Sequence, residues 1–319
     1  MEITKYTPSA AEEWNTFVEQ SVNGTFMFNR SYMDYHSDQT DIFDNRFTDH
    51  SLMIYDRSNL IALLPANEKG DGIISHEGLT FGGLLVSGNL KTPKILSIFD
   101  EVQEYLNNRG FSYINYKCIP HIYHEVPASA DRYALFRKDA DLYRRDISST
   151  IVVSKKHNFP RRRRRELNKA NDVGLTVEQT TDLETFWKIL EENLQREHGV
   201  NPTHTVDEMK HLMSEFPKNI KLFCAYDHGT MVSGALVYHS METARIQYLS
   251  TSVDGKGIGG NEKIIDYLLN HYNSECEIQY LDFGISTEGE GRVLNEGLIT
   301  YKESYDAHPF TYDFYQLKT

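Results

Sequence analysis

One order of structural signals occurs twice along the 319 residues, and an internal duplication leaves a chain few folds to choose from. Residues 51–56 and 221–227 are short runs of β-type residues that both end in Tyr-Asp. Each passes through a turn into a second apolar run, 60–66 and 231–239, and then into a third, 72–79 and 244–251. A glycine-containing stretch follows in both places. Apolar residues at i, i+3, i+4 and i+7 then predict amphipathic helices over 92–108 and 261–273. A strand closes each set, 111–120 and 277–286, and the offset holds at about 170 residues throughout. Helices over 9–22 and 29–37 open the first half, and helices over 160–172 and 182–198 open the second. Ser9 and Asp182 are the expected N-caps, and Pro93 sits in a first turn where its missing N–H is harmless. Strands alternating with helices imply an α/β (α+β) fold. The boundary falls near 140–150, giving domains of 1–145 and 146–319. No Gly/Ser-rich tether separates them, so the halves are expected to pack together.

The chain is 39% hydrophobic and 25% charged, the proportions of a folded globular protein. No apolar run approaches the ~18 residues of a membrane span. The first residues lack the basic-then-apolar order of a signal peptide. Cys118, Cys224 and Cys276 are scattered and read as reduced thiols, so a cytoplasmic location is expected. A net charge of −13 argues against DNA and against broad nucleic-acid binding. The 13 histidines contain no H-x-x-H or H-E-x-x-H pairing, and no metal is expected. Against this acidic balance stands one basic run, the five arginines 161–165 with Lys155 and Lys156 before them. It reads either as a solvated helix face or as a contact for a phosphate-bearing ligand.

The segment 250–261 joins a predicted strand to a predicted helix and holds Gly255, Gly257, Gly259 and Gly260, with Lys256 and Asn261. Glycines let backbone N–H groups approach a ligand, and a helix N-terminus favours an anion such as pyrophosphate. The spacing is neither a Walker motif nor a full dinucleotide fingerprint.

Strand, glycine turn, helix and the strand Leu281-Asp282-Phe283-Gly284-Ile285-Ser286 together resemble the GNAT superfamily of acyl transferases. More narrowly, the second half is similar to Fem-type and BioF2-like domains. It has a basic helix at 161–170, an extended segment at 175–179, the tract 244–252 and a late Gly297-Leu298-x-x-x-Lys302 pattern. The resemblance covers 150–319 and extends to the first half through the duplication. It implies two tandem GNAT-like domains, with mixed central sheets flanked by helices. The first domain would help form an acceptor cleft and the second would carry acyl transfer. Two departures are visible. Ordinary GNAT enzymes carry Gln or Arg three positions before the G-x-G of the coenzyme A loop, where this chain has Ser252 or Asp254. The long helical hairpin of some Fem-type enzymes is missing.

The resemblance implies acyl-CoA, such as acetyl-CoA, as co-substrate, with Gly255, Lys256, Gly257, Gly259, Gly260 and Asn261 as its contacts. It also implies Lys302 as stabiliser of a tetrahedral oxyanion. Lys302 lies in a helix predicted over 289–305, with Asn295 two turns earlier on the same face. Tyr248 is the implied cleft residue, and Gln247 beside it on the strand points to the opposite face. His204, in a connection between helices, is a candidate general base near pH 7. Arg161 in the basic run, and His76 next to Gly82-Gly83, are candidate substrate contacts. Three functions stay open: N-acyl transfer from acyl-CoA to an amino sugar or cell-wall precursor, Fem-type transfer from aminoacyl-tRNA, and a non-catalytic GNAT-like binding protein.

Overall fold

A computed structural model describes residues 1–40, 42–275 and 277–319, so Cys276 lies outside the described residues. The chain forms two units. One contains Met1–Asp146 with Glu288–Val293 and Thr311–Thr319, the other Ile147–Thr287 with Leu294–Phe310.

The first unit contains β1 (Glu2–Lys5), α1 (Ala11–Gln20), α2 (Arg30–Asp34), β2 (Leu52–Asp56), β3 (Asn59–Leu64), β4 (Asn67–Lys69), β5 (Gly72–Ile74), β6 (Leu85–Val86), α3 (Thr92–Asn107), β7 (Tyr113–Lys117), α4 (Ala130–Arg137) and the start of β8 (Asp141–Val152). One sheet has the order β1-β2-β3-β6, and β4-β5-β7 form part of another. Helix α3 turns Ile95, Ile98, Phe99, Val102 and Leu106 inward, against Leu52, Ile54, Leu64, Ile114 and Tyr116. This is the helical period that the sequence displays.

The second unit takes the end of β8, then α5 (Arg161–Asp172), β9 (Thr176–Thr180), α6 (Leu183–His198), α7 (Val206–Glu215), β10 (Ile220–Asp227), β11 (Thr230–Ser240), β12 (Thr243–Thr251), α8 (Val253–Gly257), α9 (Gly260–Glu275) and β13 (Tyr280–Ile285). The short strands β14 (Thr287–Glu288) and β15 (Val293–Leu294), α10 (Glu296–Glu303) and β16 (His308–Lys318) complete the chain. Its strands run β8-β13-β12-β11-β10-β9. All neighbours are antiparallel except β12 and β13, which are parallel. Ile264, Ile265, Leu268 and Tyr272 of α9 cover one face with Phe223, Val237, Ile246 and Leu281. Helix α6 covers the other, where Phe186 lies against Gly234 and Trp187 against the Tyr248 ring. A mixed sheet flanked by helices is thus present, as expected from the sequence.

Local expectations are met unevenly. Asp182 caps α6 by accepting from Thr185 N at 3.1 Å. Ser9 does not cap α1. It lies within a single 3₁₀ turn, Pro8–Ala10, and α1 follows with Ala10 at its N-cap. The strand expected over 72–79 stops at Ile74, because His76 takes a φ of 56° and the chain folds inward around Lys117. The helix expected over 289–305 begins only after Asn295. Gly289 and Gly291, at φ of 54° and 81°, turn the preceding segment instead. Cys118 and Cys224 are free and buried. Among the described residues no helix is long and apolar enough to cross a membrane.

The first unit buries several neutral histidines. Burial holds both His36 and His124 down to about 4, and holds His76 well below the ordinary histidine value. The unfolded chain takes up protons near 6.5, whereas these folded sites do not. The contribution of His36 and His124 to stability therefore falls as pH drops below 6.5 and stops falling near 4. At pH 5, His36 and His124 each cost about 2 kcal/mol relative to neutral pH. Urea titrations at pH 7.5 and pH 5 are expected to show the first unit losing stability, and His36→Phe is expected to remove part of that loss. An unchanged midpoint at pH 5 would contradict the assignment.

Candidate functional site

The parallel strands β12 and β13 pair over only three residues, Thr243–Arg245 with Tyr280–Asp282, and then part. Irregularities on both sides explain why. In β12, Leu236 of β11 opposes Tyr248 and Val237 opposes Ile246, which leaves Gln247 as a bulge residue. In β13, pairing with β8 is interrupted between Asp282 and Ile285, and Gly284 takes a φ of 75°. Such a φ suits glycine and strains any other residue.

A buried polar cluster fills the end of β13. Lys302, only 5% exposed, donates from Nζ to Gly284 O at 2.8 Å and Ile285 O at 2.7 Å. Asp282 is fully buried and accepts from Ser148 Oγ at 2.8 Å and Gly284 N at 2.9 Å. Burial pushes the Lys302 ammonium down to about 8, with Asp282 supporting its charge and Arg245 opposing it. Lys302 thus occupies the place where the two strands diverge.

Beyond the end of β12 lies a groove of about 460 Å³, lined by Arg162, Arg163 and Glu166 of α5, Thr251, Lys256 and Tyr301, among others. Asn261 at the start of α9 also lines it. Its Nδ2 donates to Tyr301 Oη at 3.3 Å, while its Oδ1 accepts from Ser233 Oγ at 2.8 Å. Arg163 is 7% exposed and ion-paired with Glu262. Arg162 is exposed and faces the groove.

The expected contacts divide between groove and packing. Lys256 and Asn261 line the groove. Gly255 lies against the Val232 carbonyl and Gly259, at a φ of 81°, against the Glu166 carbonyl; a Cβ on either would collide with that backbone. Gly260 packs on Ser233, and Gly257 faces open space while its carbonyl accepts from Lys169 Nζ. The stretch is the short helix α8, not an open turn. Ser252, one of the two positions where ordinary GNAT loops would carry Gln or Arg, caps it by accepting from Gly255 N at 3.0 Å.

His204 and Tyr248 come together, with Nδ1 and the phenol oxygen 2.7 Å apart and the Trp187 ring against the tyrosine. Asn295 caps α10, accepting from Leu298 N at 3.0 Å, so it precedes the helix whose face it was expected to share with Lys302. Arg161 is exposed at the first position of α5, while Arg162 and Arg163 take the groove. His76 is fully buried in the first unit, stacked on His36, and is not at a surface where it would contact substrate. Tyr301 and Glu262 were not anticipated. One signal was available for Arg163, since Leu167 and Ala170 follow it at helical spacing and mark its side of α5 as inward. Among the described residues no group of His, Cys, Asp and Glu is placed to hold a metal ion.

The fold has counterparts among known proteins. Residues 154–303 match the family model for the acetyltransferase (GNAT) domain. No curated protein sequence matches the chain. Among solved structures, FemX superposes with a TM-score of 0.67 at 12% identity, covering 98% of this chain and 97% of that one. L-PGS from Bacillus licheniformis gives 0.60 at 12% identity, over 98% and 91%. A tandem GNAT protein from the clavulanic acid biosynthesis pathway gives 0.51 at 10% identity, over 99% and 98%. The second half carries a GNAT domain. The chain as a whole shares the fold of FemX.

Asp282 supports the charge on Lys302, so Asp282→Asn is expected to lower the ammonium further below about 8. A nitrogen-detected NMR titration of lysine side chains checks this. An unmoved Lys302 signal would mean that the two groups are not coupled.

Proposed function

We propose that the second unit transfers an acyl group from the thioester of a phosphate-bearing carrier, such as acetyl-CoA, to an amine. The observation that carries this reading is the parting of β12 and β13, with a buried ammonium at its end. An amine nitrogen attacks the thioester carbonyl, the C–N bond forms and the C–S bond breaks. An ammonium has three N–H donors, and two of those on Lys302 go to Gly284 O and Ile285 O. The third serves the oxyanion of the tetrahedral intermediate. His204, through Tyr248, takes the proton the amine loses, and Tyr301 supplies the one the departing sulfur gains. The carrier's phosphates lie against Arg162 and Lys256, because three of the four glycines of the stretch are occupied in packing. An amino sugar or cell-wall precursor fits as the acceptor, in keeping with the Fem-type resemblance.

A second reading has its own observation. Arg161, Arg164 and Arg165 remain exposed on α5 beyond those the groove uses, a basic track suited to the acceptor end of an aminoacyl-tRNA. A non-catalytic binding protein would use Lys302 only as the partner of the Gly284 and Ile285 carbonyls and would have no turnover to lose.

Thermal shifts with free CoA and acetyl-CoA separate these readings. A carrier at about 100 times its Kd adds roughly 2.7 kcal/mol of stability. The shift is expected to vanish in Arg162→Glu and Lys256→Glu. Lys302→Met is expected to keep binding but lose about 10²–10³ in turnover. Absence of any CoA shift, with salt-sensitive binding of RNA that Arg164→Glu weakens, would favour the aminoacyl-tRNA donor instead.

A further inference from the structure

The one buried arginine of the basic run sits in more chemistry than a helix contact requires. Arg163 Nη1 pairs with Glu262 Oε1, and its Nε donates to Ser304 Oγ at 2.7 Å. Its guanidinium lies 4.4 Å from the Tyr301 ring centroid and 4.3 Å from that of Tyr305. The Tyr305 hydroxyl is 3.2 Å from Glu262 Oε1 and 3.3 Å from Tyr301 Oη, to which it is placed to donate. Asn261 Nδ2 also donates to Tyr301 Oη, at 3.3 Å. Asn261 leaves the Tyr301 oxygen an acceptor, and Glu262 is already paired with Arg163. When the single Tyr305 proton is directed to Tyr301 instead of Glu262, the Tyr301 proton is left for the groove that Tyr301 lines.

Packing alone does not require this arrangement. Arg163 falls in the same stripe of α5 as Leu167 and Ala170, where an apolar side chain would fill the space. A buried ion pair is often no more stabilising than well-packed hydrophobic residues in its place.

We infer that Arg163, Glu262 and Tyr305 form a positioning cluster that holds the Tyr301 phenol as proton donor toward the groove. The inference rests on the acyl-transfer reading, in which sulfur, on breaking from carbon, takes the Tyr301 proton while the amine gives up one of its own. Arg163, Glu262 and Tyr305 touch no reacting atom and act through Tyr301. Burial raises Tyr301 above the ordinary phenol value. The Tyr305 hydrogen bond, the Arg163 charge and the Asn261 hydrogen bond pull it down, and Glu262 pushes it up. Arg162 and Glu166 of α5, Glu197 of α6 and Lys256 of α8 line the same groove and are unchanged in every variant below.

The test is a pH titration of the full chain labelled with [13Cζ]tyrosine, with the Tyr301 signal assigned by its loss in Tyr301→Phe. Tyr305→Phe and Arg163→Met are expected to raise the Tyr301 ionisation, and Glu262→Gln to lower it, each by about half a unit or more. Tyr305→Phe and Glu262→Gln keep the shape of the cluster, so the experiment survives if Arg163→Met does not fold. Shifts of one sign in all variants, or none, would overturn the inference and leave the cluster as a fastening of α5 to α9 and α10. Thiol release from acetyl-CoA with glucosamine as the amine acceptor is read in parallel, and Tyr305→Phe is expected to lower kcat at least tenfold with KM within about twofold. If opposite shifts appear but Tyr301→Phe leaves thiol release intact, the cluster stands and the acyl-transfer reading of Tyr301 fails.

Discussion

The second unit depends on a pair of parallel strands that cannot stay paired. Once β12 carries an extra residue at Gln247 and β13 turns through Gly284, their ladder ends at Arg245 and Asp282. Backbone polar groups released in this way must find partners, because a buried unsatisfied carbonyl costs about 1–3 kcal/mol. Lys302 supplies donors to two of them, the carbonyls of Gly284 and Ile285. The same lysine that repairs the end of β13 is thereby held there, desolvated. Structural need and chemical opportunity coincide in one side chain. For this reason Lys302→Met tests chemistry only alongside a measurement of folding.

The glycine stretch shows how one composition serves two ends. Four glycines before a helix suggest an anion cradle, but the side chain they lack is also what lets α8 and α9 lie close to β11 and α5. Gly255 and Gly259 meet carbonyl oxygens at distances no Cβ permits. The cations at the groove are side chains, Lys256 within the stretch and Arg162 across from it. Ser252, which departs from the GNAT pattern, is spent as a helix cap.

Much of the frame was legible because it is written in periodicities. The stripes of α3 and α9, the parallel strand 280–285 and the Asp182 cap follow from spacing and local hydrogen-bonding chemistry. Lys302 and Tyr248 were within reach of the family resemblance, whereas the contact of Tyr248 with His204 depends on how the connection after α6 folds back. The losses have a common cause. Which of five consecutive arginines points inward depends on helix phase, and the stripe formed by Leu167 and Ala170 gave it only in retrospect. Asn295 and the false start of the last helix turned on two glycines at positive φ, a backbone property that composition suggests but does not locate. His76 read as polar and therefore exposed, whereas the segment after β5 buries it beneath the inward fold around Lys117.

The duplication also has a chemical asymmetry. In the first unit the connection entering α3 occupies the same place in the repeat as the stretch entering α9, and a cavity of about 320 Å³ lies there. Its walls include Val22, Leu90, Ile95, Val126 and Tyr133, with no charged side chain among them. Lys91 stands at the N-cap of α3, where a cation opposes the positive end of the helix dipole. The corresponding groove of the second unit carries Arg162 and Lys256 on side chains that reach outward from neighbouring elements. A phosphate would meet Arg162 and Lys256 beside Glu166, Glu197 and Glu262 in one copy, and uncharged walls in the other. The order of strands and helix recurs in both units, while the strand pairing and the side chains around the stretch before the helix differ.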